Sequence, residues 1–149
     1  MHIETQFSVF MVNKPGVLGQ LFDKIADAKI NIIALTVMDS VEHGVLRIVA
    51  TSHEKIRKVL THLNVQYSES AVLCVNLPNK SGAFADVANK LAHAHINISY
   101  AYCTAGARGG RTTSILKVID VKKAMKVLEA KASKPAAKKK TVKRSPKRK

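Results

Sequence analysis

A twenty-residue segment near the start of the chain recurs 66 residues later without a gap. Residues 13–32 and 79–98 agree at nine of their twenty positions, and most other pairs exchange one apolar residue for another. A repeat with a fixed period is the mark of a duplicated structural unit. The chain of 149 residues is therefore predicted to contain two copies of one unit of about 65 residues.

Each copy shows the same order of predicted elements. Each begins with an apolar strand, followed by a loop, an amphipathic helix and a second strand. The first strand has alternating apolar residues at Phe7, Val9 and Met11 in the first copy, and residues 72–77 are its counterpart in the second. A third strand and a second helix follow, and residues 64–68 add a short fourth strand to the first copy. The order βαββαβ predicts two ferredoxin-like units of the α+β class, with antiparallel sheets and helices on one face.

The repeat also sets the domain boundaries. We place the first unit at residues 1–68, the second at 69–130 and a separate tail at 131–149. The second copy lacks its last strand, because the chain runs from Leu128 into the tail. The sheet edge is then either open or filled by a subunit or another segment, and we expect a homodimer.

Two short motifs identify the family that the repeat resembles. The first copy reads Asn-Lys-Pro-Gly-Val-Leu at 13–18 and Ile-Asn-Ile at 30–32, and the second has Ser-Gly-Ala-Phe at 81–84 and Ile-Asn-Ile at 96–98. This pattern resembles the ACT domain, a small amino-acid-sensing regulatory module, and most of all the stand-alone tandem ACT proteins. The resemblance implies a non-catalytic regulatory protein that binds a free amino acid at the interface between units, near the loop after the first strand.

The residues of this loop suit such a ligand on physical grounds. The loop leads to a helix N-terminus, where unpaired backbone N–H groups favour a carboxylate, and Gly16 and Gly82 permit a positive φ. The candidate ligand-binding residues are Asn13, Lys14, Pro15, Gly16, Val17, Leu18 and Asn31 in the first copy and Asn79, Lys80, Gly82, Ala83, Phe84 and Asn97 in the second.

Each of these residues also has a purely structural interpretation. Asn13 and Asn79 are candidate helix N-caps. Asn31 and Asn97 are candidate caps of the turn before a strand. Leu18 and Phe84 are candidate core residues.

The tail is a separate source of function. Residues 131–149 hold ten Lys or Arg and no acid, whereas residues 1–130 hold fifteen Lys or Arg and ten acids. This segment predicts disorder and resembles the tails of linker histones and bacterial histone-like proteins. We expect weak, non-specific nucleic-acid contact through Lys138, Lys139, Lys140, Lys143, Arg144, Lys147, Arg148 and Lys149. A solubilising tail, RNA or ribosome contact, attraction to anionic membranes and a nuclear signal are the alternatives.

Other classes of protein have little support in the sequence. No apolar run reaches the length of a membrane helix. The sequence contains no recognisable set of catalytic residues and no cofactor-binding motif. We therefore predict no enzymatic activity, no cofactor and no metal site, and a cytoplasmic or nucleoid-associated location. Cys74 and Cys103 lie in apolar strands and are predicted to be two buried, reduced thiols.

Three functions remain open at this point. The first is an amino-acid sensor, and the second is a nucleoid- or chromatin-associated protein whose body only dimerises. The third is a regulatory subunit of a separate amino-acid biosynthetic enzyme.

Overall fold

The computed structural model describes residues 1–38, 43–104 and 110–130. Within these residues, six strands and four helices follow the predicted order, and every strand pair is antiparallel. In chain order the elements are β1 (His2–Val12), α1 (Val17–Asp27), β2 (Ile32–Met38), β3 (His43–Ala50), α2 (His53–His62), β4 (Gln66–Pro78), α3 (Ala83–His93), β5 (Ile98–Cys103), β6 (Arg111–Val118) and α4 (Val121–Glu129). The mixed fold of two βαββαβ-like units is confirmed, and the two units share a single sheet.

The sheet has the strand order β2-β3-β1-β4-β6-β5, so the two units lie on either side of the β1–β4 pair. Thr5 of β1 faces Ala71 of β4, and these two positions are also equivalent in the 66-residue repeat. The pseudo-twofold axis that relates the units therefore passes between these two residues.

The long central strands explain what replaces the last strand of the second copy. The start of β4 pairs with the end of β1, with Gln66 opposite Phe10, and serves as the fourth strand of the first unit. The start of β1 pairs with the middle of β4, with His2 opposite Cys74, and occupies the fourth position of the second unit. The prediction of two separate strands at 64–68 and 72–77 was wrong, because β4 runs unbroken from Gln66 to Pro78.

All four helices pack on one face of this sheet, as predicted. Phe7 and Val9 of β1 face α1 and α2, whereas Leu73 and Val75 of β4 face α3 and α4. Residues paired across β1 and β4 share a face, and Ile3, opposite Leu73, packs against the second core. The N-terminal half of β1 therefore stabilises the second unit as well as the first.

Arg57 of α2 anchors the polar start of β4. Its Nε and a terminal nitrogen each lie 2.7 Å from a carboxylate oxygen of Glu69, which forms a bidentate ion pair. The hydrogen bonds from this guanidinium hold the pKa of Glu69 below its ordinary value.

The face without helices also carries a buried cluster. Val49, Val72, Cys74 and Ile115 are almost fully buried there, together with Ala34 of the edge strand β2. Gln6 of β1 is fully buried on the same face, where Tyr100 and Tyr102 of β5 hydrogen-bond to its side chain.

These contacts show that the sheet curves toward the face without helices. Strands β1 and β5 are three strand spacings apart, roughly 14 Å in a flat sheet. The Nε2 atom of Gln6 nevertheless lies 2.7 Å from the hydroxyl of Tyr100, and the Arg47 guanidinium of β3 lies 3.8 Å from the centre of the same tyrosine ring. The resulting concave surface excludes water from Val72 and Cys74 without a covering helix.

Candidate ligand-binding site

The loop between β4 and α3 is a tight turn that ends in a left-handed glycine. The amide of Lys80 donates to the carbonyl of Pro78 at 2.9 Å, and Gly82 precedes the helix with φ +84°. The carbonyl of Gly82 accepts the first helical hydrogen bond, from Asp86, so Gly82 rather than Asn79 is the N-cap.

The loop between β1 and α1 has the same conformation. The amide of Lys14 donates to Val12, the carbonyl of Gly16 accepts from Gln20, and Gly16 has φ +89°. A residue with a Cβ is strained in this region, which explains why both copies keep glycine here. The expected positive φ is confirmed in both loops, and Asn13 is not the N-cap of α1.

An open pocket of about 380 Å³ lies where this loop meets the sheet in the second unit. It is lined by the end of β4, the loop, the first turn of α3 and the adjoining ends of β5 and β6. The lining residues are Leu77, Pro78, Asn79, Lys80, Ala83, Phe84, Cys103, Thr104, Thr112 and Ser114. Of the residues proposed from the sequence, the pocket thus gathers Asn79, Lys80, Ala83 and Phe84.

Sequence reasoning missed the polar wall of this pocket. Ser114 is fully buried, and its Oγ lies 3.1 Å from the Sγ of Cys103. Beside them, the hydroxyl of Thr112 donates to the carbonyl of Thr104, and the hydroxyl of Thr104 accepts from the amide of Thr113 at 3.0 Å. A comparison of the two repeats could have pointed to Cys103, because the second copy has a thiol at the position where the first copy has the apolar Val37.

The two cysteines differ from the prediction of two buried thiols. Cys74 is 1% exposed and belongs to the cluster on the concave face, whereas Cys103 is exposed at the pocket. Burial raises the pKa of the Cys74 thiol to about 11. Cys103 was placed wrongly because β5 is an edge strand, so its apolar neighbours in the sequence do not imply burial.

The structure does not bring Asn31 or Asn97 to the loops. β4 and β5 are both antiparallel to β6 and therefore run in the same direction. The pocket lies where both strands finish, whereas Asn97 precedes β5 and is roughly 20 Å away along that strand. Asn31 precedes β2 and lies at a similar distance from the first loop. Its carbonyl accepts a hydrogen bond from the amide of Thr51.

The two loops themselves lie at opposite ends of the central strand pair. Phe10 faces Gln66, so Pro78 is up to roughly 40 Å further along β4. Asn13, Lys14, Pro15, Gly16, Val17 and Leu18 form the first loop and the start of its helix, and none of them lines the pocket. Within one chain, the interface between the units therefore does not join the two candidate sites.

Several other predictions concern residues or sites elsewhere. The eight basic residues proposed for nucleic-acid contact, from Lys138 to Lys149, lie outside the described residues. Across residues 1–38, 43–104 and 110–130, no group of three His, Cys, Asp or Glu side chains is placed to hold a metal ion. The helices in those same ranges are too short or too polar to span a membrane.

One sheet shared by two βαββαβ units, each with a glycine-capped loop before its first helix, defines a tandem of ACT-type units. A family model described as an ACT domain pair matches residues 1–143, so the chain belongs to that family. A comparison with curated protein sequences found no significant match.

Solved structures share this fold. The protein BT0572 from Bacteroides thetaiotaomicron is 26% identical, with a TM-score of 0.78 over 85% of this chain and 86% of that one. The regulatory subunit of aspartate kinase from Thermus thermophilus is 10% identical, with a TM-score of 0.63 over 86% and 95%. A structure of aspartokinase alpha and beta subunits gives 21% identity and a TM-score of 0.55 over 86% and 95%. The last two likenesses concern the fold alone.

Proposed function

We propose that this chain is a non-catalytic regulatory protein that binds a free amino acid in the pocket at the start of α3. The observation that carries the proposal is that one pocket joins the repeated loop, the N-terminus of α3 and the ends of three strands. The partial positive charge at the N-terminus of α3 favours the ligand carboxylate, and Lys80 adds a positive charge to the same wall. Membership of the ACT domain pair family supports a regulatory role.

Thermal unfolding of the full chain with each of the twenty amino acids tests this proposal. A ligand present at a hundred times its dissociation constant stabilises the folded state by about 2.7 kcal/mol. For a domain of this size, we expect a rise of roughly 8 °C in the melting temperature with one or a few amino acids. The variant Asn79→Ala should lose most of this rise while still unfolding cooperatively.

The first unit supplies the matched control. Asn13→Ala makes the same change in the equivalent loop, and we expect it to keep the stabilisation. If Asn13→Ala and not Asn79→Ala removes the shift, the site belongs to the first unit. If no amino acid stabilises the protein, amino-acid binding is contradicted, and a body that serves only for dimerisation becomes the better interpretation.

We propose further that the protein acts as a homodimer and that its output is a separate biosynthetic enzyme. Exposed apolar side chains at one end of the first unit, Phe10, Val12 and Met38, support a contact with a second copy. The fold shared with a regulatory subunit of aspartate kinase supports an enzyme as the regulated partner. The solution mass tests the first proposal, and co-purification of a catalytic subunit tests the second.

We propose that the basic tail contacts nucleic acid weakly and without sequence preference, which would place part of the protein on the nucleoid. Ten cations displace counterions from a polyanion, so affinity for duplex DNA should fall at least about 100-fold between 50 and 200 mM salt. Deletion of residues 131–149 should abolish the binding. A tail of equal length with Gln at its Lys and Arg positions is the control for length, and binding that survives in either variant would place the nucleic-acid site in the body.

A further inference from the structure

The two units can be compared position by position at their strand ends. On the sheet, Met11 of β1 pairs with Gly44 of β3, and its repeat equivalent Leu77 of β4 pairs with Thr112 of β6. Gly44 and Thr112 are therefore equivalent. By the same register, Leu46 is equivalent to Ser114.

In the second unit, these positions form a polar wall. Ser114, Thr112, Cys103 and Thr104 all line the pocket. The hydroxyl of Ser114 is fully buried, and the thiol of Cys103 at 3.1 Å is its hydrogen-bond partner. Because Ser114 has no exposed surface, a ligand hydroxyl reaches it by displacing the thiol of Cys103. A thiol is a weak donor and a weak acceptor, so the ligand hydroxyl would be the stronger partner.

In the first unit, none of the four equivalent positions carries a hydroxyl or a thiol. They hold Val37, Met38, Gly44 and Leu46. The loops have the same backbone conformation in both units, but Ser81 of the second loop has a backbone N–H and a hydroxyl, whereas Pro15 of the first has neither. The units differ in the groups that would meet the ligand side chain.

The charges on the pocket wall restrict that side chain further. Lys80 is the charged residue of the lining, and no Asp or Glu is among the lining residues that the structure describes. A cationic ligand side chain would have no counter-charge there. A second carboxylate would meet hydroxyl and thiol groups on the polar wall but no cation among the described lining residues there, because Lys80 lies in the loop that meets the first carboxylate.

We propose that the second unit is the selective site of this chain and that it prefers an amino acid with a short, uncharged, hydroxyl-bearing side chain. Ser114 is the specificity-determining residue, and Cys103 positions its hydroxyl. The proposal rests on the proposed function, since it assigns selectivity to the same pocket.

Matched ligand pairs test the selectivity on the full chain by calorimetric titration. Threonine is compared with valine, and serine with alanine, because each pair differs mainly in the hydroxyl. We expect at least one hydroxyl amino acid to bind about tenfold more tightly than its partner. Ser114→Ala should reduce that ratio to about two or less, and Ser99→Ala, an exposed serine of β5 outside the pocket, should leave it unchanged.

A second variant tests the proposal in case Ser114→Ala does not fold. Cys103→Val introduces the residue that the first unit has at this exposed position, and it should also lower the ratio, because a stiff β-branched side chain covers Ser114 and is not displaced by the ligand. Equal binding within each pair, an unchanged ratio in both variants, or tightest binding of lysine or aspartate would overturn the selectivity and leave amino-acid binding standing. The absence of binding by any amino acid would instead overturn the proposed function itself.

Discussion

Replacement of Gln6 by alanine is expected to destabilise the protein by about 3 kcal/mol, although Gln6 lies outside the candidate site. Gln6 is fully buried on the concave face, and its Nε2 donates to the hydroxyl of Tyr100 at 2.7 Å. The hydroxyl of Tyr102 donates to its Oε1 at 3.1 Å. The alanine variant would leave a cavity and deprive two tyrosine hydroxyls of their partner.

The size of this effect follows from the place of Gln6 in the sheet. It joins β1 to the distant edge strand β5, so its loss weakens the curvature that buries Val72 and Cys74. Burial also raises the pKa of Tyr102 well above its usual range, so this hydroxyl stays protonated and continues to donate at any physiological pH.

Chemical and thermal unfolding measure the effect, which corresponds to a fall of roughly 10 °C in the melting temperature. Gln66→Ala is the control, because this exposed glutamine lies on the neighbouring strand and should change stability by less than about 0.5 kcal/mol. In a double-mutant cycle, Tyr102→Phe should cost less in the Gln6→Ala background than in the wild type. Additive losses would show that the hydrogen bond does not couple the two strands.

The local patterns of the sequence predicted most of the fold. The apolar stripe that begins at Val17 and Leu18 predicted α1, and its copy in the second repeat predicted α3, because the period of a helix is visible within a few turns. The polar start of β4, including Ser68 and Glu69, did not look like part of a long strand. Its backbone is paired by β1, and Glu69 is held by Arg57, and neither contact is visible in the local sequence.

The sequence predicted only part of the candidate site, because contacts made through strand pairing are not visible in the local sequence. The loop residues Asn79 and Lys80 were accessible to sequence reasoning because they belong to one continuous motif. Ser114 and Thr112 come from β6, which approaches the loop only through its pairing with β4. Asn97 was grouped with the loop although strand direction places it at the far end of β5.

The thiol of Cys103 is expected to react with a maleimide at least about 100-fold faster than that of Cys74 at pH 8. Cys103 is exposed at the pocket, whereas Cys74 is 1% exposed and has its pKa raised to about 11 by burial. A thiol with that pKa is ionised to roughly one part in a thousand at pH 8, and only the thiolate reacts.

The same reaction reports whether the pocket is occupied, since a bound ligand would cover Cys103 and leave Cys74 untouched. Peptide mapping after timed labelling measures both rates in one sample, and unfolding in denaturant should bring them together. The amino acid that stabilises the protein should slow labelling of Cys103 in proportion to occupancy, by about 100-fold at a hundred times its dissociation constant. Stabilisation without protection of Cys103 would show that the ligand binds elsewhere, whereas protection that disappears in Asn79→Ala would join the loop and the polar wall into one site.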